Sequence, residues 1–106
     1  MSKSKLNKVV INSCYGGFSL SSKAMEMLND LKGNIIDPED YSLSECNIPR
    51  HDKDLVYTVE VLGYDADGVD ANLKVVEFMD DRYFIYNEDG YEYLITPSDM
   101  IRIEND

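Results

Sequence analysis

The sequence is poor in the residues that build metal centres, disulfide frameworks and membrane spans. It has one histidine and two cysteines, so it lacks the clustered ligands of a structural zinc site. In a cytosolic chain with no further cysteines, Cys14 and Cys46 are expected to be reduced thiols. No apolar run reaches the roughly 18 residues of a membrane span, and the segment after Met1–Lys5 is too short for a signal-peptide core. We therefore predict a soluble cytoplasmic protein that has no metal or other cofactor and no contact with membrane.

The net negative charge of the chain arises from its second half. The net charge is −11, and residues 1–50 carry six Lys/Arg and six Asp/Glu, whereas residues 51–106 carry four and fifteen. Direct binding to nucleic acid needs a basic surface and is disfavoured by this balance. The pattern suits a basic protein partner, or else a solvated face that keeps a small protein in solution.

Two segments have the end signals and the apolar spacing of helices. The first is expected to begin after Ser21 or Ser22, to run through about Lys32 and to stop at Gly33, with apolar residues every three or four positions. The second is expected to begin near Asp52, whose carboxylate is a good helix cap, and to end at Gly63. Each helix has one apolar face, which predicts packing on a sheet.

The remaining apolar segments predict strands. Residues 6–12 are rich in β-branched residues, as is typical of a buried strand, and residues 34–50 form an irregular connection. A three-stranded antiparallel meander is expected at 73–79, 82–86 and 91–96, and a last short strand or helical turn at Met100, Ile101 and Ile103. The sequence thus predicts a single α+β domain over residues 1–106. Its small mixed or antiparallel sheet combines the N-terminal strand with the C-terminal meander and packs against two helices.

The segment between the first strand and the first helix is the best candidate for a site. It reads Cys14-Tyr15-Gly16-Gly17-Phe18-Ser19. Adjacent glycines before a helix can expose backbone N–H groups that bind phosphate, although the segment matches neither the P-loop nor the dinucleotide fingerprint. A tight structural turn is the alternative. The two aromatic residues would either stack on a base or complete the core.

Cations and possible nucleophiles are few. Arg50 is a candidate partner for an anionic ligand, with an ordinary surface ion pair as the alternative. Cys14 near a helix end is a conceivable nucleophile, but His51 is the only histidine and nothing in the sequence brings the two together. We predict that the protein binds and does not catalyse, and that a cysteine-dependent enzyme is the less favoured reading.

The C-terminal hairpin is rich in tyrosine. Alternation along its strands places some of these rings on an exposed face, where they either pack across strands or form an interaction surface. The residues are Tyr83, Tyr86, Tyr91 and Tyr93.

Residues 9–21, together with Arg50-His51-Asp52 and Leu55-Val56 downstream, resemble small phage and prophage proteins in which a strand ends in Asn-x-Cys-Tyr-Gly-Gly-Phe. That family is similar to the Thoeris anti-defence proteins, which sequester cyclic ADP-ribose signals. The resemblance covers about half of the chain.

The resemblance implies a counter-defence protein in the cytoplasm of a bacterial host. Such a protein would bind a small signalling nucleotide without cleaving it, as a homo-oligomer with the site near a subunit boundary. The residues it carries over are the glycine segment and Arg50. Family members continue into a basic C-terminal segment, whereas here Arg102 is the one possible contributor from the tail. The alternative is an acidic inhibitor, DNA-mimicking or anti-CRISPR-like, that occupies a basic surface of a bacterial defence protein.

Overall fold

The computed structural model describes residues 7–43 and 48–97. Its elements, in chain order, are β1 (Asn7–Asn12), α1 (Ser22–Leu31), α2 (Lys53–Leu62), a 3-10 turn (Gly63–Ala66), β2 (Leu73–Phe78), β3 (Phe84–Glu88) and β4 (Tyr91–Ile95). The α+β class and the two helices are confirmed. Cys46, Arg102 and the last element expected around Met100 lie outside the described residues. Within the described ranges, no helix is long and apolar enough to cross a membrane.

Both helices begin and end where the sequence predicts. The Ser21 hydroxyl accepts a hydrogen bond from the third amide of α1, and the Asp52 carboxylate accepts from the second and third amides of α2. Gly33 and Gly63 follow the helices with φ of 77° and 57°, values that glycine adopts at little cost. Local chemistry is thus sufficient to set the helix bounds.

The strands pair differently from the expected meander. β2 pairs antiparallel with β1, while β3 and β4 form a separate hairpin. Pairing β2 with β1 places Val76 opposite Val9 and Val75 opposite Val10, so apolar pairs form on both faces of this two-stranded sheet. The turn between β3 and β4 is shorter than the gap at 87–90 between the expected strands, because β3 continues to Glu88. It consists of Asp89 and Gly90, both with positive φ.

The β1–β2 sheet lies between the helices and the hairpin. Val10 faces the larger apolar cluster, which includes residues of α1 and α2, whereas Val9 and Ile11 pack with Ile85 and Leu94 of the hairpin. Val9 and Val10 are both fully buried, and burial of such a side chain contributes about 1.5–3 kcal/mol. A strand covered on both faces explains why β1 has consecutive apolar residues instead of an alternating pattern.

Candidate binding surface

Residues Cys14–Ser19, here called the glycine turn, pack tightly against two other parts of the chain. A Cβ atom at Gly16 would overlap the carbonyl oxygen of Asp70. A Cβ atom at Gly90, in the hairpin turn, would lie 2.6 Å from the Tyr15 carbonyl oxygen and 2.8 Å from the Gly17 nitrogen. Gly16 and Gly90 are therefore required by close packing of backbone on backbone.

A buried asparagine at the end of β1 fixes this arrangement. Asn12 is fully buried, and its Nδ2 donates to the carbonyl oxygens of Cys14 and Gly90, each at 2.8 Å. Its Oδ1 accepts from the Asn72 amide at 2.8 Å. One side chain thus joins the glycine turn, the hairpin turn and the segment before β2. This role of Asn12 was not predicted from the sequence, where its only signal is a polar residue that ends an apolar strand.

Arg50 lies beside the glycine turn but is already paired with a carboxylate. Its Nη1 and Nη2 lie 2.6 and 2.9 Å from the two carboxylate oxygens of Glu92, which is only 3% exposed. The guanidinium carbon lies 3.7 Å from the centre of the Phe18 ring. This two-point ion pair engages both Nη groups and neutralises the positive charge that a phosphate would need. Glu92 was not identified from the sequence, because only tertiary contact distinguishes it from the other acidic residues of the second half.

The other residues of the glycine turn differ in how accessible they are. Tyr15 is 63% exposed and Phe18 is 8% exposed, so only the tyrosine ring can contact a partner. The Cys14 thiol donates to the Asp70 carbonyl oxygen at 2.9 Å, and the Ser19 carbonyl oxygen accepts from the Gly68 amide at 2.8 Å.

The contacts of this region also bear on the candidate nucleophile, on the glycine amides and on metal binding. The Cys14 thiol donates to the Asp70 carbonyl oxygen, whereas His51 Nδ1 lies 2.8 Å from the Tyr83 hydroxyl. Cys14 and His51 are therefore not hydrogen-bonded to each other. Among the described residues, the amides of Gly16 and Gly17 make no hydrogen bond of good geometry, and no group of three or more His, Cys, Asp or Glu side chains is placed to hold a metal ion.

Four tyrosine rings form a continuous series from the glycine turn along the outer side of the hairpin. Ring centroids are 5.1 Å apart for Tyr15 and Tyr91, 5.0 Å for Tyr91 and Tyr93, and 6.3 Å for Tyr93 and Tyr86. We call these four residues the tyrosine face. Tyr15, Tyr86 and Tyr93 are between 41% and 63% exposed, so the series presents aromatic surface to solvent.

Side chains alternate between the two faces of a β-strand, so the hairpin places these rings on its outer side and their neighbours toward the core. Tyr86 lies opposite Tyr93 in the β3–β4 ladder, and the intervening residues Glu92 and Leu94 point inward. Exposed Phe84 lies two residues before Tyr86 and extends the apolar part of the outer side. Alternation along the sequence predicted exposed tyrosines in the hairpin, but it gave no sign that the series continues to Tyr15.

Carboxylates border the tyrosine face. Glu88 lies opposite Tyr91 in the ladder, and Asp89 follows in the turn. Desolvation by the neighbouring rings, together with the charge of Glu88 and the nearby Tyr15 and Tyr91, raises the pKa of Tyr93 above its ordinary value. The phenol of Tyr93 therefore stays neutral at physiological pH and remains a hydrogen-bond donor.

Comparison with protein-family models, with curated proteins and with solved structures finds no significant match. The resemblance to phage anti-defence proteins therefore stays a prediction.

Proposed function

We propose that this protein binds a positively charged protein surface through its tyrosine face. The observation that carries the proposal is the continuous, exposed series of rings from Tyr15 to Tyr86. Tyrosine is enriched at the centres of protein interfaces, because a rigid ring buries a large area and keeps one polar group for hydrogen bonding.

The surroundings of the rings favour a basic partner. Glu88 and Asp89 lie at the tip of the hairpin beside Tyr91, and the net charge of the chain is −11. An arginine on the partner would stack on a ring face and pair with these carboxylates at the same time. The same negative charge would speed association with a basic protein at low salt.

The biological setting is an extension of this proposal. A basic groove on a bacterial defence protein that normally holds nucleic acid is a suitable target, and an inhibitor that occupies it would work in the host cytoplasm. We also expect self-association, which native mass spectrometry would measure together with any retained small molecule.

The test is the binding of fluorescent peptides, measured by anisotropy at low and at physiological salt. We expect an arginine-rich peptide to bind more tightly than a lysine-rich peptide of equal charge, and added salt to weaken both. The double variant Tyr86→Ser/Tyr93→Ser should weaken binding about tenfold or more, as expected when two interface rings are lost. Tyr64→Ser is the matched control, because Tyr64 is 90% exposed and lies outside the tyrosine face. Equal effects of the two variants, or equal binding of the two peptides, would contradict the proposal.

Capture of a signalling nucleotide is the second candidate. It is favoured by the Gly16 and Gly17 amides, which make no good hydrogen bond to another described residue, and by the exposed ring of Tyr15 next to them. It is weakened by the pairing of Arg50 with Glu92, because the positive charge expected to neutralise a phosphate already has a carboxylate partner. For these reasons the protein-binding function ranks above it.

Nucleotide capture is tested by thermal unfolding with cyclic ADP-ribose as the probe. A ligand present at 100 times its Kd stabilises the native state by about 2.7 kcal/mol, which would raise the Tm by about 10 °C. Tyr15→Ser should reduce that shift, whereas Tyr64→Ser should not. An unchanged Tm at saturating cyclic ADP-ribose would remove this candidate without affecting the peptide-binding result.

A further inference from the structure

A cleft of about 780 Å³ lies away from the tyrosine face, and its lining shares no residue with that face or with the glycine turn. One wall is the exposed side of the first two turns of α2, with Lys53, Tyr57 and Glu60. The opposite wall comes from the start of β1 and from the chain that follows β2. Its volume is within the range of about 300–1,000 Å³ found for small-molecule sites.

Aromatic rings contribute to the lining of the cleft. The His51 and Tyr83 rings meet edge to face with centroids 5.6 Å apart, and Tyr83 meets Phe78 in the same way at 5.5 Å. Tyr57, on the α2 wall, is 52% exposed. These rings offer stacking and edge contacts to a flat ligand.

A hydrogen bond orients the histidine in this cleft. His51 Nδ1 lies 2.8 Å from the Tyr83 hydroxyl. Burial raises the pKa of Tyr83, an effect that the charge of Arg50 and a backbone hydrogen bond at His51 only partly offset. The phenol is therefore protonated at neutral pH and can donate to Nδ1. With the phenol as donor, the hydrogen of the neutral imidazole is on Nε2, where it can be donated to a ligand.

The charges in the cleft limit what it can hold. Lys8 and Glu60 neutralise each other in an ion pair of 2.7 Å. Lys53 makes no ion pair with any described residue, whereas the carboxylate of Asp81 lies in the same lining. A lining with one ammonium group outside these ion pairs, and one carboxylate, suits a ligand with a single negative charge and disfavours a multiply charged one.

We propose that this cleft binds a small planar aromatic molecule with one negative charge. The ligand ring packs against His51 and Tyr57, and its anionic group meets the Lys53 ammonium and the Nε2–H of His51. This site is independent of the tyrosine face, so either can fail while the other stands.

The experiment is an amide NMR titration with 1-naphthoate, compared with neutral 1-naphthamide and with doubly charged 1-naphthyl phosphate. We expect 1-naphthoate to bind most tightly and to shift resonances of residues 51–60 and 78–83. Lys53→Gln should weaken its binding about tenfold, as expected for loss of a charge-assisted hydrogen bond. Lys23→Gln is the matched control, because Lys23 is an exposed helical lysine outside the cleft.

Four results would overturn the proposal. These are undetectable binding of 1-naphthoate, equal affinity for the neutral amide, unchanged affinity in Lys53→Gln, and shifts confined to other parts of the chain. Lys53 is exposed at the start of α2, so its replacement leaves the core intact, and the amide spectrum of the variant verifies the fold before titration.

Discussion

Arg50 and Glu92, 42 positions apart, form a two-point ion pair with Nη–Oε distances of 2.6 and 2.9 Å. The pair joins the segment before α2 to β4. Glu92 Oε1 also accepts a hydrogen bond from the backbone amide of Asn12 at 2.8 Å. The buried carboxylate thus has three hydrogen-bond donors. A charge buried in this way is tolerated only while its partners remain.

Removal of the arginine should therefore be costly. Arg50→Met leaves Glu92 buried without its counter-ion, and we expect a loss of about 3–5 kcal/mol in the free energy of unfolding, measured in urea. Glu92→Gln should cost less, since the amide is neutral and the 25% exposed Arg50 side chain can reach water. A loss below about 1 kcal/mol in Arg50→Met would show that the pair is not structural.

Asn12→Ala should destabilise the protein by about 3 kcal/mol or more. The substitution leaves the part-buried carbonyl of Gly90 and the part-buried backbone amide of Asn72 without their partners, and each unsatisfied group costs about 1–3 kcal/mol. Urea unfolding measures the loss. Asn72→Ala is the control, because Asn72 bonds to Asn12 and Ser13 through its backbone only, and its effect should be within about 0.5 kcal/mol.

The two adjacent glycines should respond differently to alanine. At Gly16 the new methyl would overlap the Asp70 carbonyl oxygen, whereas at Gly17 it would enter open space but require φ of +94°. We expect Gly17→Ala to cost about 1–3 kcal/mol from backbone strain, and Gly16→Ala to cost more because backbone atoms must move. Thermal unfolding of both variants gives the order. The reverse order would mean that Asp70 moves away easily.

Acid should weaken the capping site of α2. Burial alone would raise the pKa of Asp52, but hydrogen bonds from Lys32, at 2.7 Å, and from the helix amides outweigh it and lower the pKa. The unfolded carboxyl titrates near pH 3.9. The stabilisation is therefore complete above that pH and is lost as pH falls through the lower folded pKa.

Asp52→Asn isolates this effect, because asparagine caps helices as well as aspartate does. We expect a loss of about 1 kcal/mol in urea unfolding at neutral pH, and convergence with the parent protein in strong acid. Lys23→Gln, which removes an exposed ion pair of 3.8 Å, is the control and should change little. A loss in Asp52→Asn that does not depend on pH would contradict the assigned role of the charge.

Local features of the sequence were enough to predict the secondary structure. Ser21 and Asp52 cap the helices, Gly33 and Gly63 end them, and these effects involve residues at most a turn or two apart. The strand at β1 was predicted from its β-branched residues in the same way. The glycine turn was located correctly, but whether its glycines serve packing or a ligand depends on what lies opposite them.

The tertiary structure decided which residues lie opposite the two glycines of the glycine turn. Asp70 and Gly90 pack against the glycine turn, and Glu92 forms an ion pair with Arg50. Tyr15 extends the series of tyrosine rings in the hairpin. The pairing of β2 with β1, instead of with β3, was likewise decided by the tertiary structure. The sequence by itself determined which segments are helix or strand, because propensity and capping act between near neighbours. The partners of each buried polar group and each strand depend on burial that many distant residues create together, so they appeared only in the folded chain.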